Sequence, residues 1–125
     1  MITVILVIIG SGLGGMARYG ASGLISRRFG GAFPWGTLAV NISGSFVIGL
    51  FFGTTAASWL PLAAPAWHHL LTFGFLGGFT TFSTLSLETL NLLREGATRR
   101  AVLYVAGSVS LGLLAVVIGY ALGSA

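Results

Sequence analysis

The sequence predicts an all-α integral membrane protein of four transmembrane helices, the third of them broken near mid-membrane. Three observations carry this. Of the 125 residues, 55% are hydrophobic and 6% charged, with a mean hydropathy of +0.99, which leaves too little polar surface for a water-soluble domain of this size. Four apolar stretches are each long enough to cross a hydrocarbon core about 30 Å thick at about 1.5 Å per helical residue. The third stretch alone carries a dense run of glycine, serine and threonine at mid-depth.

The first helix is predicted over residues 2–26, interrupted only by Arg18 and followed by the turn Arg27-Arg28-Phe29-Gly30-Gly31. It lacks a basic leader and continues past Arg18, so it reads as a retained helix and not a cleaved signal. The second runs over 34–59, with Pro34 in its first turn, where a fixed φ is suited to helix entry. A proline-containing loop from Leu60 to Pro65 leads to the third, 67–93, and the turn Arg94-Glu95-Gly96 leads to the fourth, 98–123. Trp35, Trp59 and Trp67 fall at helix ends, as an interfacial aromatic belt requires. The whole chain is thus one transmembrane unit, 1–125, with no loop long enough to be a domain.

Small residues recur at four-residue spacing: Gly10/Gly14, Ser11/Gly15, Ser45/Gly49/Gly53, Ser108/Gly112 and Gly119/Gly123. Lipid gives helices no hydrophobic reward for associating, so close backbone approach must supply the contact. Helices packed this closely leave little room for water inside one chain, and a transport path is expected where two chains meet.

Charge and composition exclude several functions. All six basic residues are Arg, and the only acids are Glu88 and Glu95. These arginines sit at helix ends and do not form the clustered face that nucleic acid needs. The absence of Cys excludes a disulfide framework and thiol chemistry. Without Asp, and with His only at 68 and 69, both read as interfacial, the chain offers no catalytic constellation, so it is not read as an enzyme.

In Gly74-Phe75-Leu76-Gly77-Gly78-Phe79-Thr80-Thr81-Phe82-Ser83-Thr84 the paired glycines and the hydroxyls weaken a helix. A break between Gly77 and Thr81 is expected, its freed carbonyls able to hold a cation; the alternative is an unbroken helix whose hydroxyls bond back to their own carbonyls. Phe82 and Leu85, three apart, share a helix face, and a ring edge is electropositive enough to favour a partly dehydrated anion. Asn41 lies at mid-depth with Thr37 one turn before it, while Tyr104, Ser108 and Gly112 form a stripe in the fourth helix. Together the hydroxyls and the amide make a neutral donor set suited to conducting an anion, although each could be an ordinary interhelical bond. Arg18 within the first helix either snorkels or forms a positive vestibule, and Glu88 is its partner or a partner of backbone groups.

Gly-Gly-x-x-Arg-Tyr in the first helix, Trp-Gly-Thr-x-x-Val-Asn in the second and Gly-Phe-x-Gly-Gly-x-Thr-Thr-Phe-Ser-Thr in the third resemble the Fluc family of fluoride channels over nearly the whole chain. The resemblance implies an antiparallel dimer with two pores in a microbial cell membrane, passive fluoride efflux that protects against the ion, and a structural Na⁺ at the dimer centre. It makes Phe82 a pore phenylalanine, Asn41 and Ser108 fluoride ligands, Thr37 and Tyr104 part of a polar track, and Arg18 a vestibule charge. The carbonyls of Gly77 and Thr80 would hold the Na⁺. Two positions depart from the family: Leu85 stands where a second pore phenylalanine is usual, and Gly112 where a third hydroxyl is common. One aromatic edge would be missing, and slower conduction is expected.

Two other classes compete. A proton-coupled exporter similar to the small multidrug transporters needs an exchangeable acid in the membrane, usually in the first helix, where this chain has Arg18. A non-transporting assembly subunit would use the same polar groups only to tie helices together. Orientation raises a separate question. Arg27, Arg28, Arg94, Arg99 and Arg100 lie on one side of the membrane, and the other side has no Arg or Lys. The positive-inside rule then places both termini outside, whereas an antiparallel homodimer needs both orientations. Either dimer packing overrides the bias or the partner is an oppositely biased homologue; the homodimer is favoured, because short loops insert either way.

Overall fold

The computed structural model describes residues 1–54 and 66–125, and every regular element among them is helical. Four spans are long and apolar enough to cross a membrane: Ile2–Phe29, Trp35–Thr54, Ala66–Arg94 and Thr98–Ser124. Trp59 and the Leu60 to Pro65 loop lie outside the described residues. The first span is helix α1 (Ile2–Phe29), closed by Gly30 at φ 88°, a conformation that glycine adopts without a Cβ penalty. Helix α2 (Trp35–Thr54) begins one residue after Pro34, whose carbonyl accepts from Leu38 N–H.

The third span is composite. Helix α3 (Ala66–His69) passes into a seven-residue π-helical stretch, Leu70–Leu76, then one α-turn, α4 (Gly77–Phe79). After Thr80 and Thr81 the helix resumes as α5 (Phe82–Arg94). The break expected between Gly77 and Thr81 is therefore present, but at the two threonines: Gly77 keeps helical backbone at φ −62°, ψ −40°. A Schellman turn joins α5 to α6 (Thr98–Ser124), with Ala97 N–H on Leu92 carbonyl, Gly96 N–H on Leu93 carbonyl and Gly96 at φ 78°.

Glycine sterics set the packing. A Cβ on Gly49 or Gly53 would strike α6 backbone at Val116 or Tyr120, and one on Gly119 or Gly123 would strike α2 backbone at Phe46 or Leu50. The same applies between α1 and the third span, where Gly14 faces the Phe75 carbonyl and Gly78 faces the Ser11 carbonyl. A Cβ on Gly15 would meet nothing within 4 Å, and one on Gly112 only Ser45 Oγ at 3.6 Å, so these two glycines are not required by close backbone approach among the described residues. Buried apolar residues are few and centre on Leu38, Leu92, Ala101 and Tyr104, while Ile5, Ile8, Leu113 and Val117 face outward. This is the distribution expected where lipid or a second subunit, not water, surrounds the bundle.

A stability experiment separates sterics from helix propensity at the paired glycines. The nearest atom to a Cβ on Gly77 is Thr72 O at 4.0 Å, whereas on Gly78 the Cβ would enter the α1 backbone. Gly78→Ala is expected to destabilise the purified protein by about 1–3 kcal/mol, an overpacking cost, and Gly77→Ala by much less. Equal melting temperatures for the two variants would remove the close α1 contact from the account.

Candidate functional site

The break is held by a side chain from another helix. Thr80 leaves helical backbone at φ −79°, ψ 153°, and Thr81 is extended at φ −150°, ψ 120°. An extended residue presents its own N–H and C=O to the same side, as strand residues do in a hydrogen-bonded pair, so one amide can meet both. Asn41 does this from α2: Thr81 N–H donates to Oδ1 at 2.8 Å, and Nδ2 donates to the Thr81 carbonyl at 3.0 Å. The Thr81 hydroxyl in turn accepts from Thr84 N–H at 3.1 Å and caps α5. It also donates to Thr84 Oγ1 at 3.1 Å, with Ser83 Oγ 3.2 Å away.

These bonds have a consequence for two carbonyls. In a continuous helix Thr81 N–H would bond the Gly77 carbonyl and Thr84 N–H the Thr80 carbonyl. Here the first N–H goes to Asn41 and the second to the Thr81 side chain, so both carbonyls are left to other partners. Oxygen donors of this kind suit a hard cation such as Na⁺.

About 6 Å closer to the arginine-bearing end, one helical turn from Asn41, a second polar layer ties α2, α5 and α6. Thr37 Oγ1 donates to Glu88 Oε1 at 2.9 Å, and Tyr104 OH donates to Glu88 Oε2 at 2.7 Å. Tyr104 is fully buried. Among the described residues Glu88 is therefore bonded to Thr37 and Tyr104, and neither to Arg18 nor to backbone. Ser108 lies one turn inward from Tyr104, 8% exposed, and its hydroxyl has no hydrogen-bond partner among the described residues. Asn41 likewise retains one of its two amide N–H donors among the described residues, where Nδ2 makes one hydrogen bond.

Phe82 and Leu85 are separated by the fold despite their spacing. Phe82, the first residue of α5, is 80% exposed, whereas Leu85 packs inward against the Tyr104 cluster. Arg18 is half-buried and lines a cavity shared with Tyr19, Ser22 and Thr84. His68 departs from its interfacial assignment: it is 6% exposed, with its ring 6.0 Å from that of Phe51, while His69 sits over Phe73 at 5.7 Å. Trp35 and Trp67 remain largely exposed at helix ends.

Sequence reasoning missed three things: the capping role of Thr81, the engagement of Glu88 and the π-helical stretch. A threonine just ahead of the α5 run was a readable N-cap signal. Glu88 was not readable, because its partners come from two other helices whose register only packing decides.

The family model described as CrcB-like protein, Camphor Resistance (CrcB), matches residues 5–120. A protein of Opitutus terrae named fluoride-specific ion channel FluC is 47% identical over 91% of this chain and 86% of its own length. One of the same name from Thermus thermophilus is 46% identical over 97% of this chain and 94% of its own, and one from Methylobacterium nodulans is 47% identical over 93% and 91%. With the broken third helix and the polar layers of α2, α5 and α6 already in place, these matches mean that the chain belongs to the CrcB-like family.

Proposed function

We propose that this multi-pass membrane protein is one subunit of a fluoride-selective channel that lets the ion leave the cell passively. The observation that carries the reading is the buried Ser108 hydroxyl, without a partner among the described residues, together with the spare amide N–H that Asn41 keeps there. An unsatisfied buried donor costs about 1–3 kcal/mol, and a small anion shedding water would recover it. Chloride, larger and more weakly hydrated, gains less from such a narrow donor set. Glycine contacts bring α2 onto α6 and α1 onto the third span, and the Phe82 ring faces out of the subunit, so the path is assigned to the junction of two antiparallel copies. At that junction the carbonyls of Gly77 and Thr80 would hold a Na⁺, which supplies charge that fixes the two broken helices together and takes no part in conduction.

A proton-coupled exporter needs an acid that both proton and substrate can reach. Glu88 has both oxygens engaged by Thr37 and Tyr104, which favours the channel. Protein reconstituted in vesicles should release loaded fluoride but not chloride, without a proton gradient; release that requires such a gradient, or none at all, removes the channel reading. For the homodimer, C-terminal reporters active only inside or only outside the cell should both give signal. An exclusively external C-terminus would assign the partner to an oppositely biased homologue.

A further inference from the structure

The cavity beside Arg18 contains a second charge that the family resemblance does not assign. It measures about 520 Å³ and is lined by Arg18, Tyr19, Ser22, Gly23 and Arg27 of α1, with Thr84 of α5 on its far wall. We infer that Arg27 is a second capture residue, forming with Arg18 a two-arginine basin that concentrates small anions in a cleft ending at Thr84, beside the break in the third span. This rests on the channel reading above.

Four features support it. No carboxylate lines the cavity, and neither guanidinium has an ion pair or hydrogen bond among the described residues, so neither charge is neutralised locally. The two arginines are nine residues apart, about 13 Å along the helix axis, a spacing that spreads positive potential from the membrane surface inward to the half-buried Arg18. Thr84 lies in the first turn of the 13-residue helix α5, whose N-terminal end carries partial positive charge, so the inner wall adds to the same field. A cleft of one sign with low-dielectric walls focuses that field and raises local anion concentration.

Arg28 provides the internal control. It shares the last turn of α1 and its exposure with Arg27, and therefore any role in helix-end electrostatics or snorkelling, but it does not line the cavity. Fluoride efflux would be measured from phosphatidylcholine vesicles at about 10 mM and about 1 M ionic strength, set with an impermeant salt, where screening lengths are about 30 Å and 3 Å. Arg27→Gln is expected to slow efflux roughly threefold at the low strength, less than the roughly tenfold at which focusing by a whole charged cleft begins because Arg18 is retained, and to match wild type at the high strength. Arg27→Lys and Arg28→Gln should match wild type at both.

Wild-type efflux from Arg27→Gln at low ionic strength would overturn the inference, as would equal slowing by Arg28→Gln, which would indicate general surface charge. Slowing that persists at 1 M would assign Arg27 a structural role. Slowing seen only when phosphatidylglycerol is added would assign it to lipid headgroups. If wild-type protein releases no fluoride, the channel reading itself fails; if wild type conducts and Arg27→Gln is unchanged, only the basin does.

Discussion

Replacing Phe82 with Ile is expected to cut fluoride flux about tenfold or more while leaving the subunit folded. The ring is 80% exposed on the isolated subunit, so the substitution removes little internal packing and its effect reads out what lies outside the subunit. Ile keeps the bulk but has no electropositive edge. Losing one contact to a partly dehydrated ion, at about 1.4 kcal/mol, is a factor of ten. Efflux from vesicles measures the first part and a thermal melt of the purified protein the second. Wild-type flux in Phe82→Ile would take the ring out of the pathway, and the Leu85 departure from the family would then lose its meaning for rate as well.

The second large effect is expected at Asn41. Asn41→Ala deletes both bonds to Thr81 and leaves a backbone N–H and C=O unpaired in a dry setting, each about 1–3 kcal/mol. Stability should fall by about 2–4 kcal/mol after partial relaxation, and flux should be lost with the break. Asn41→Asp separates the two roles. Its carboxylate can still accept from Thr81 N–H, but it cannot donate to the Thr81 carbonyl, and it offers an anion no N–H, only repulsion. It should therefore recover part of the melting temperature and none of the flux. Flux at the wild-type level in Asn41→Asp would show that the amide serves the break alone.

Much of this protein was legible before folding was considered. Hydropathy placed the four spans to within a few residues wherever they are described, because the lipid solvent requires about 20 apolar residues per crossing whatever the tertiary arrangement. The glycine repeats marked faces of the first, second and fourth helices as close-packing ones, since only a missing Cβ permits that approach; that α2 meets α6 and α1 meets the third span came from the structure. The hydroxyl-rich run located the break to a five-residue window. It did not place it on Thr80 and Thr81, because both glycines keep helical backbone, Gly78 of them against α1, and the deciding bonds come from Asn41.

What the tertiary structure alone decided is how the polar groups divide their work. Residue spacing put Phe82 and Leu85 on one face, yet the inward Tyr104 cluster claims Leu85 and leaves Phe82 outside. Thr37, Asn41, Tyr104 and Ser108 were all readable as donors, but a donor list does not say which hydrogen bonds are spent. Thr37 and Tyr104 are given to Glu88, Asn41 is half given to Thr81, and Ser108 has no partner among the described residues. Sequence determines where polar groups enter the membrane, because burying them in hydrocarbon is costly. Which of them remain available to an ion depends on the register between helices distant in the chain, and that register is set by packing.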